Sequence, residues 1–158
     1  MTGPFTTSAV PATAPAVNGR LHQGLLAVYG VFWAALAVAP LHRLDWLLEN
    51  ILPVIVVTLL IATYRRFQFS DRSYVLITAF LMLHAVGAHY TYEQVPAGDW
   101  LKQALGLQRN HFDRVAHFAF GLLLTCSVRE LFVRLASLTG FWSQYFALTT
   151  IVACSGFF

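Results

Sequence analysis

After an opening stretch with no period, the chain alternates long apolar runs with short polar turns. The runs at residues 24–39, 45–66, 73–88, 111–128 and 141–158 each approach the roughly 17 to 25 residues a helix needs to cross a bilayer. The second enters at Asp45 and Trp46 and leaves at Arg65 and Arg66. It contains Pro53, where a kink is expected because proline removes a backbone donor and neighbouring helices must satisfy the freed carbonyl. The fourth stops at Arg129 and Glu130, and the fifth is still apolar at Phe158. This pattern predicts an all-α fold, a polytopic transmembrane helix bundle of four to five spans. The connection between spans three and four carries Tyr90, Tyr92, Pro96, Gly98 and Trp100, a density of aromatics that suits the membrane–water interface. Its segment DWLKQALG predicts a short helix with Asp99 as N-cap and Gly106 as stop.

Residues 1–20 open on Pro, Ala, Thr and Ser and read as a flexible N-terminal tail, leaving 21–158 as one transmembrane helical domain. Ala12-Thr13-Ala14 mimics a signal-peptide cleavage site, but no basic and apolar regions precede it.

Composition strengthens the membrane reading. Hydrophobic residues make up 58% of the chain and charged ones 11%, against roughly 25% charged in a soluble domain, so the lipid bilayer is the expected partner. The net charge of +3 comes from ten Lys and Arg scattered at the ends of apolar runs. That distribution is a topology signal and does not make a nucleic-acid surface. Arg65, Arg66 and Arg72 follow the second run, and Arg129 and Arg134 the fourth. The positive-inside rule therefore puts these turns and the N-terminus in the cytoplasm, although Lys102 and Arg109 in the long connection reduce the asymmetry. Cys126 and Cys154 lie inside apolar segments without CxxC or Cys/His spacing, so they read as small apolar residues.

The chemistry concentrates between His84 and Gly121, which hold four of the six histidines. Ionisable groups at membrane depth are costly and usually functional. With alternating spans, Glu49 and His117 lie roughly 6 and 9 Å inside their helices and His84 roughly 7 to 8 Å before His89. Glu49, His84, His89, Asp113 and His117 are thus expected at one level of one leaflet. Asp113 and His117 are an i, i+4 pair on one helix face, continued by Gly121.

His84, His89, Asp113 and His117 are candidate ligands for zinc, manganese or iron. Asp113, His117 and Glu49 are candidate catalytic groups, with Asp113 orienting His117 as a general base or proton relay. The same side chains can instead only lock helices together, and Glu49 can pair with Arg43 or Arg114. Spacing does not choose among these. Arg114 reads as a snorkelling helix-start residue, and His22 and His42, at helix ends, read as incidental. Three functions follow: a metal-dependent membrane hydrolase acting on a lipid-linked or polar small molecule at the outer face, a transporter or proton-coupled carrier, and a non-catalytic membrane scaffold.

The runs ENILP, FSDRSY, HAVGAHYTYEQVP, GLQRNHFDRVAHFAFGLLL and RELFVR resemble the YjdF-like family of bacterial inner-membrane proteins across nearly the whole chain after the tail. The shorter DRVAHFAFG is similar, more partially, to the VanZ-like membrane proteins. The resemblance implies a multi-pass plasma-membrane protein of uncharacterised function and supplies no catalytic residues. It also implies an acidic C-terminal segment that this sequence does not reach, so a C-terminally truncated domain and an incomplete carboxylate set are expected.

Overall fold

The computed structural model describes residues 17–155, which form six α-helices and no strand: α1 Gly19–Leu36, α2 Arg43–Thr63, α3 Asp71–His89, α4 Pro96–Ala104, α5 Phe112–Leu135 and α6 Gly140–Ser155. The expected tail lies outside the described residues through position 16. Its last two residues, Gly19 and Arg20, are already helical, because the Asn18 side chain accepts the Leu21 amide at 3.2 Å and caps α1. Ser70 caps α3 in the same way at the Ser73 amide. α2 runs through Pro53, which is buried.

Two boundaries differ from the sequence pattern. α4 starts at Pro96 rather than at Asp99, since a proline's fixed φ and missing N–H suit the first helical position. Asp99 instead accepts from the Asn110 side chain at 3.2 Å. Gly106 does mark the end, at φ +63°. α5 does not stop at Arg129 and Glu130 but continues to Leu135. Glu130 is turned inward against Ser70 and Ser73, with Arg134 one turn further on its other side at 2.8 Å.

α3 is the central element, packed by α1, α2 and α5, while α6 packs on α5. Tyr29, Ile77 and Leu81 form the core between α1 and α3, and Phe80, Phe120 and Ile151 the core among α3, α5 and α6. The Phe80 and Phe120 rings meet edge to face with centroids 5.3 Å apart. Ala116 on α5 and Ser143 and Ala147 on α6 are fully buried. Small side chains of this kind let helices approach closely.

The outer surface is apolar. α2 leaves Leu44 76% and Leu48 67% exposed, and α1 leaves Val31 74% exposed. Among the described residues α2 is the one helix long and apolar enough, by length and composition, to cross a membrane. Replacing Ala147 with Leu is expected to push α6 off its neighbour and destabilise the bundle by about 1–3 kcal/mol. Thermal unfolding of the purified chain in detergent measures this, and an unchanged midpoint would contradict close packing at Ala147.

Candidate functional site

The site is built by α2, α3 and the turn that follows α3. His84 is 2% exposed on α3. Its Nε2 lies 3.0 Å from the backbone carbonyl oxygen of Glu49 on α2. A carbonyl only accepts, so Nε2 carries a proton and donates it. On the other side of the ring, Nδ1 lies 2.7 Å from the Tyr92 hydroxyl. The Glu49 carboxylate lies close enough to act on the same phenol. Tyr92 therefore joins a histidine and a carboxylate that belong to two different helices.

The backbone explains how Tyr92 arrives there. α3 ends at His89, and Thr91 and Tyr92 both adopt φ +54°. A left-handed conformation costs an L-residue about 1–2 kcal/mol, and strain of that size persists where surrounding contacts hold it. Here the Tyr92 amide donates to the Gly87 carbonyl at 2.8 Å, and the ring folds back on α3. A Cβ at Gly87 would overlap the Tyr92 ring, so the missing side chain makes the seat. Gly98 does the same for Asn110, whose amide donates to the Val95 carbonyl and so fastens the loop before α5. Burial, and after it the charges of Glu49 and Asp113, push the Tyr92 phenol well above the usual tyrosine value. It therefore stays a neutral hydroxyl, able both to donate and to accept.

Of the residues expected at one level, Glu49, His84 and Asp113 gather around Tyr92, with Asp113 acting on Glu49 and Tyr92 through its charge. The Glu49 carboxylate finds the Tyr92 phenol rather than Arg43 or Arg114. His117 stays with Asp113, Nε2 to Oδ1 at 3.4 Å, and its Nδ1 lies 3.3 Å from the Ser155 hydroxyl on α6. His89 faces away, with Nδ1 2.7 Å from the Leu36 carbonyl at the end of α1. The four candidate metal ligands therefore do not converge: Asp113 and His117 face each other, while His84 and His89 turn to other partners. Among the described residues no group of three or more His, Cys, Asp or Glu is arranged to share a metal ion.

The opposite end of the bundle holds a second polar cluster. His22 is not incidental: it is buried, with Nδ1 2.9 Å from the Tyr64 hydroxyl and Nε2 2.8 Å from Asp71 Oδ1. The Asn18 amide donates to the same carboxylate oxygen at 3.0 Å. This cluster joins α1, the end of α2 and the start of α3. Beside it Glu130 accepts from the Ser70 amide and from the Ser70 and Ser73 hydroxyls, and Arg134 lies over the Phe67 ring at 4.2 Å. Between the two ends Asn50 accepts from the Trp33 indole at 2.5 Å and donates to the Trp46 carbonyl.

Tyr92 is the residue that sequence reasoning misses, because a tyrosine in an aromatic loop reads as an interfacial anchor. The available signal was Gly87, a glycine near the end of an apolar run that also carries His84.

The chain matches the family described as predicted membrane protein DUF2238 over residues 21–158. Over 92 residues it is 41% identical to the inner membrane protein YjdF of Escherichia coli strain K12, a match that covers 58% of this chain and 44% of that relative. No solved structure matches it.

Gly87→Ala is expected to destabilise the chain by about 1–3 kcal/mol through overpacking against Tyr92. In a Tyr92→Ala background the same substitution should cost less than half as much, since residues in contact do not add. Equal costs in the two backgrounds would show that the glycine does not seat the ring.

Proposed function

The chain belongs to the DUF2238 family of predicted membrane proteins, and on that premise we propose that it is a multi-pass inner-membrane protein that holds and passes a proton through Glu49, Tyr92 and His84. In this reading α1, α2, α3, α5 and α6 span the membrane and α4 lies at the interface with Tyr90 and Trp100. The arginines at 65, 66, 72, 129 and 134 face the cytoplasm, and the Tyr92 cluster then belongs to the outer leaflet.

A single observation carries the relay: one phenol lies 2.7 Å from His84 Nδ1 and within the influence of the Glu49 carboxylate. With Nε2 of His84 committed to a carbonyl, the chain of bonds has two arrangements with the same number of protons. In one, a protonated Glu49 donates to the Tyr92 oxygen and Tyr92 donates to His84 Nδ1. In the other, Glu49 is a carboxylate accepting from Tyr92, and Tyr92 accepts from the N–H of a His84 imidazolium. Moving from the first to the second shifts one proton from Glu49 Oε to Tyr92 Oη and the phenol's own proton to His84, with no change in total charge. Geometry of this kind suits a proton-coupled carrier. The metal-dependent hydrolase is less well supported, since His84 already spends both ring nitrogens on hydrogen bonds.

The full chain reconstituted in liposomes with a trapped pH-sensitive dye tests the relay. After an external acid step, Tyr92→Phe and His84→Gln are expected to slow proton entry by about a hundredfold, the lower end of what a positioned proton-transfer group contributes. Proton entry no faster than in empty liposomes, or unchanged in Tyr92→Phe, would remove the relay. Stoichiometric zinc, manganese or iron in the purified chain would instead revive the hydrolase.

A further inference from the structure

α2 and α5 both lean on α3 without forming an interface of their own. The gap between them is a cavity of about 450 Å³. Its walls include Val56 and Leu59 of α2, Phe80 and His84 of α3, and Leu124 and Leu135 of α5. From Phe120 to Leu135 the α5 wall runs roughly 22 Å, so the cavity is a long cleft rather than a hole.

Water does not suit such a space, because a buried water needs two to four polar partners and the walls are almost wholly hydrocarbon. Another helix suits it poorly as well. Where helices meet closely in this fold the contact uses Ala116, Ser143 and Ala147, as membrane helix contacts do. Among the described residues no glycine or alanine lines the cleft. Bulky Phe and Leu walls with a groove between them fit a thin, flexible chain better than a helix of roughly 10–12 Å diameter.

The two ends of the cleft differ. One reaches His84, and the other reaches Thr63, Phe67 and Leu135. Near this second end the exposed Arg66 lies between the lining residues Thr63 and Phe67 in sequence, and the exposed Arg129 follows the lining residue Val128, about 9 Å short of Leu135 along α5. A hydrocarbon cleft flanked, on the side away from His84, by two exposed arginines within side-chain reach of that end has the polarity of a single lipid. The hydroxyl of Ser127, a residue 5% exposed on the cleft wall, has no hydrogen-bond partner among the described residues. A lipid's ester oxygens are acceptors that its hydroxyl can serve.

We propose that the cleft between α2 and α5 binds an anionic phospholipid, with its phosphate at Arg66 and Arg129 and one acyl chain lying along the cleft toward His84. The proposal rests on the chain lying in a bilayer and not on proton transfer at Tyr92. The bound chain would be part of the wall beside His84, so that the hydrocarbon keeps bulk water from reaching the histidine by that side.

The test uses the full chain in liposomes of phosphatidylglycerol bearing a photoreactive diazirine on the acyl chain, with labelled positions read by mass spectrometry. Labelling is expected to concentrate on Phe80, Phe120 and Leu124 over the exposed residues Val31 and Leu44. Val56→Trp, which fills the cleft, should abolish that excess while Val31 and Leu44 remain labelled. Replacing Arg66 or Arg129 with Gln should lower the preference for phosphatidylglycerol over phosphatidylcholine by about fivefold each. Cleft labelling no denser than at Val31 and Leu44 would overturn the proposal, and so would protein–protein crosslinks from a photoreactive residue placed at Leu124. Labelling absent from Val31 and Leu44 as well would count against the membrane reading itself. Retained proton entry in Val56→Trp would leave the relay standing whatever becomes of the lipid.

Discussion

A hydrogen-bonding group placed among apolar helices must find its partner within the protein, and this constraint organises the whole bundle. α3 shows it best. At its start Ser70, Ser73 and Asp71 are held by Glu130 of α5 and His22 of α1. Near its end His84 is held by the Glu49 backbone of α2 and by Tyr92. Hydrophobic burial is a weak guide to orientation when the surroundings are themselves hydrocarbon. These directional bonds select which helix faces meet, and the interlocking of Phe80 with Phe120 and Ile151 fills in around them.

Both polar clusters share one construction, a tyrosine on one side of an imidazole and an acceptor on the other. In the His22 cluster the acceptor is the Asp71 carboxylate, and in the His84 cluster it is a backbone carbonyl. The difference has a chemical consequence. His22 faces a carboxylate directly, which suits a fixed hydrogen bond between helices at the arginine-rich end. His84 reaches its carboxylate only through the Tyr92 hydroxyl, an arrangement that can pass a proton as well as hold one. The strained turn at Thr91 and Tyr92 belongs to this second cluster, and the fold sustains that strain to keep the phenol where it is.

The cleft follows from the same economy of contacts. Because α3 takes up α1, α2 and α5 by its own polar ends and apolar middle, α2 and α5 are left apart. The space between them continues the apolar outer surface inward as far as His84. Lipid and proton chemistry would then meet at one residue, approached from the bilayer by a hydrocarbon chain and from the loop by Tyr92.

The helical nature of the chain, its six helices and its fitness for lipid were legible in the sequence, because apolar run length, turn residues and charge placement are local properties. The approach of α2 at Glu49 to α3 at His84 was legible too, since alternating helices of known rise bring those positions to one end of the bundle. Four features were decided by tertiary structure: that Tyr92 folds back over Gly87, that His89 turns to the end of α1, that His22 is a buried partner of Asp71, and that α5 runs on past Glu130. Each depends on which acceptor lies nearest once the helices have packed, and depth along a helix says nothing about the direction a ring faces. Sequence periodicity sets where a polar group stands; the fold sets what it holds.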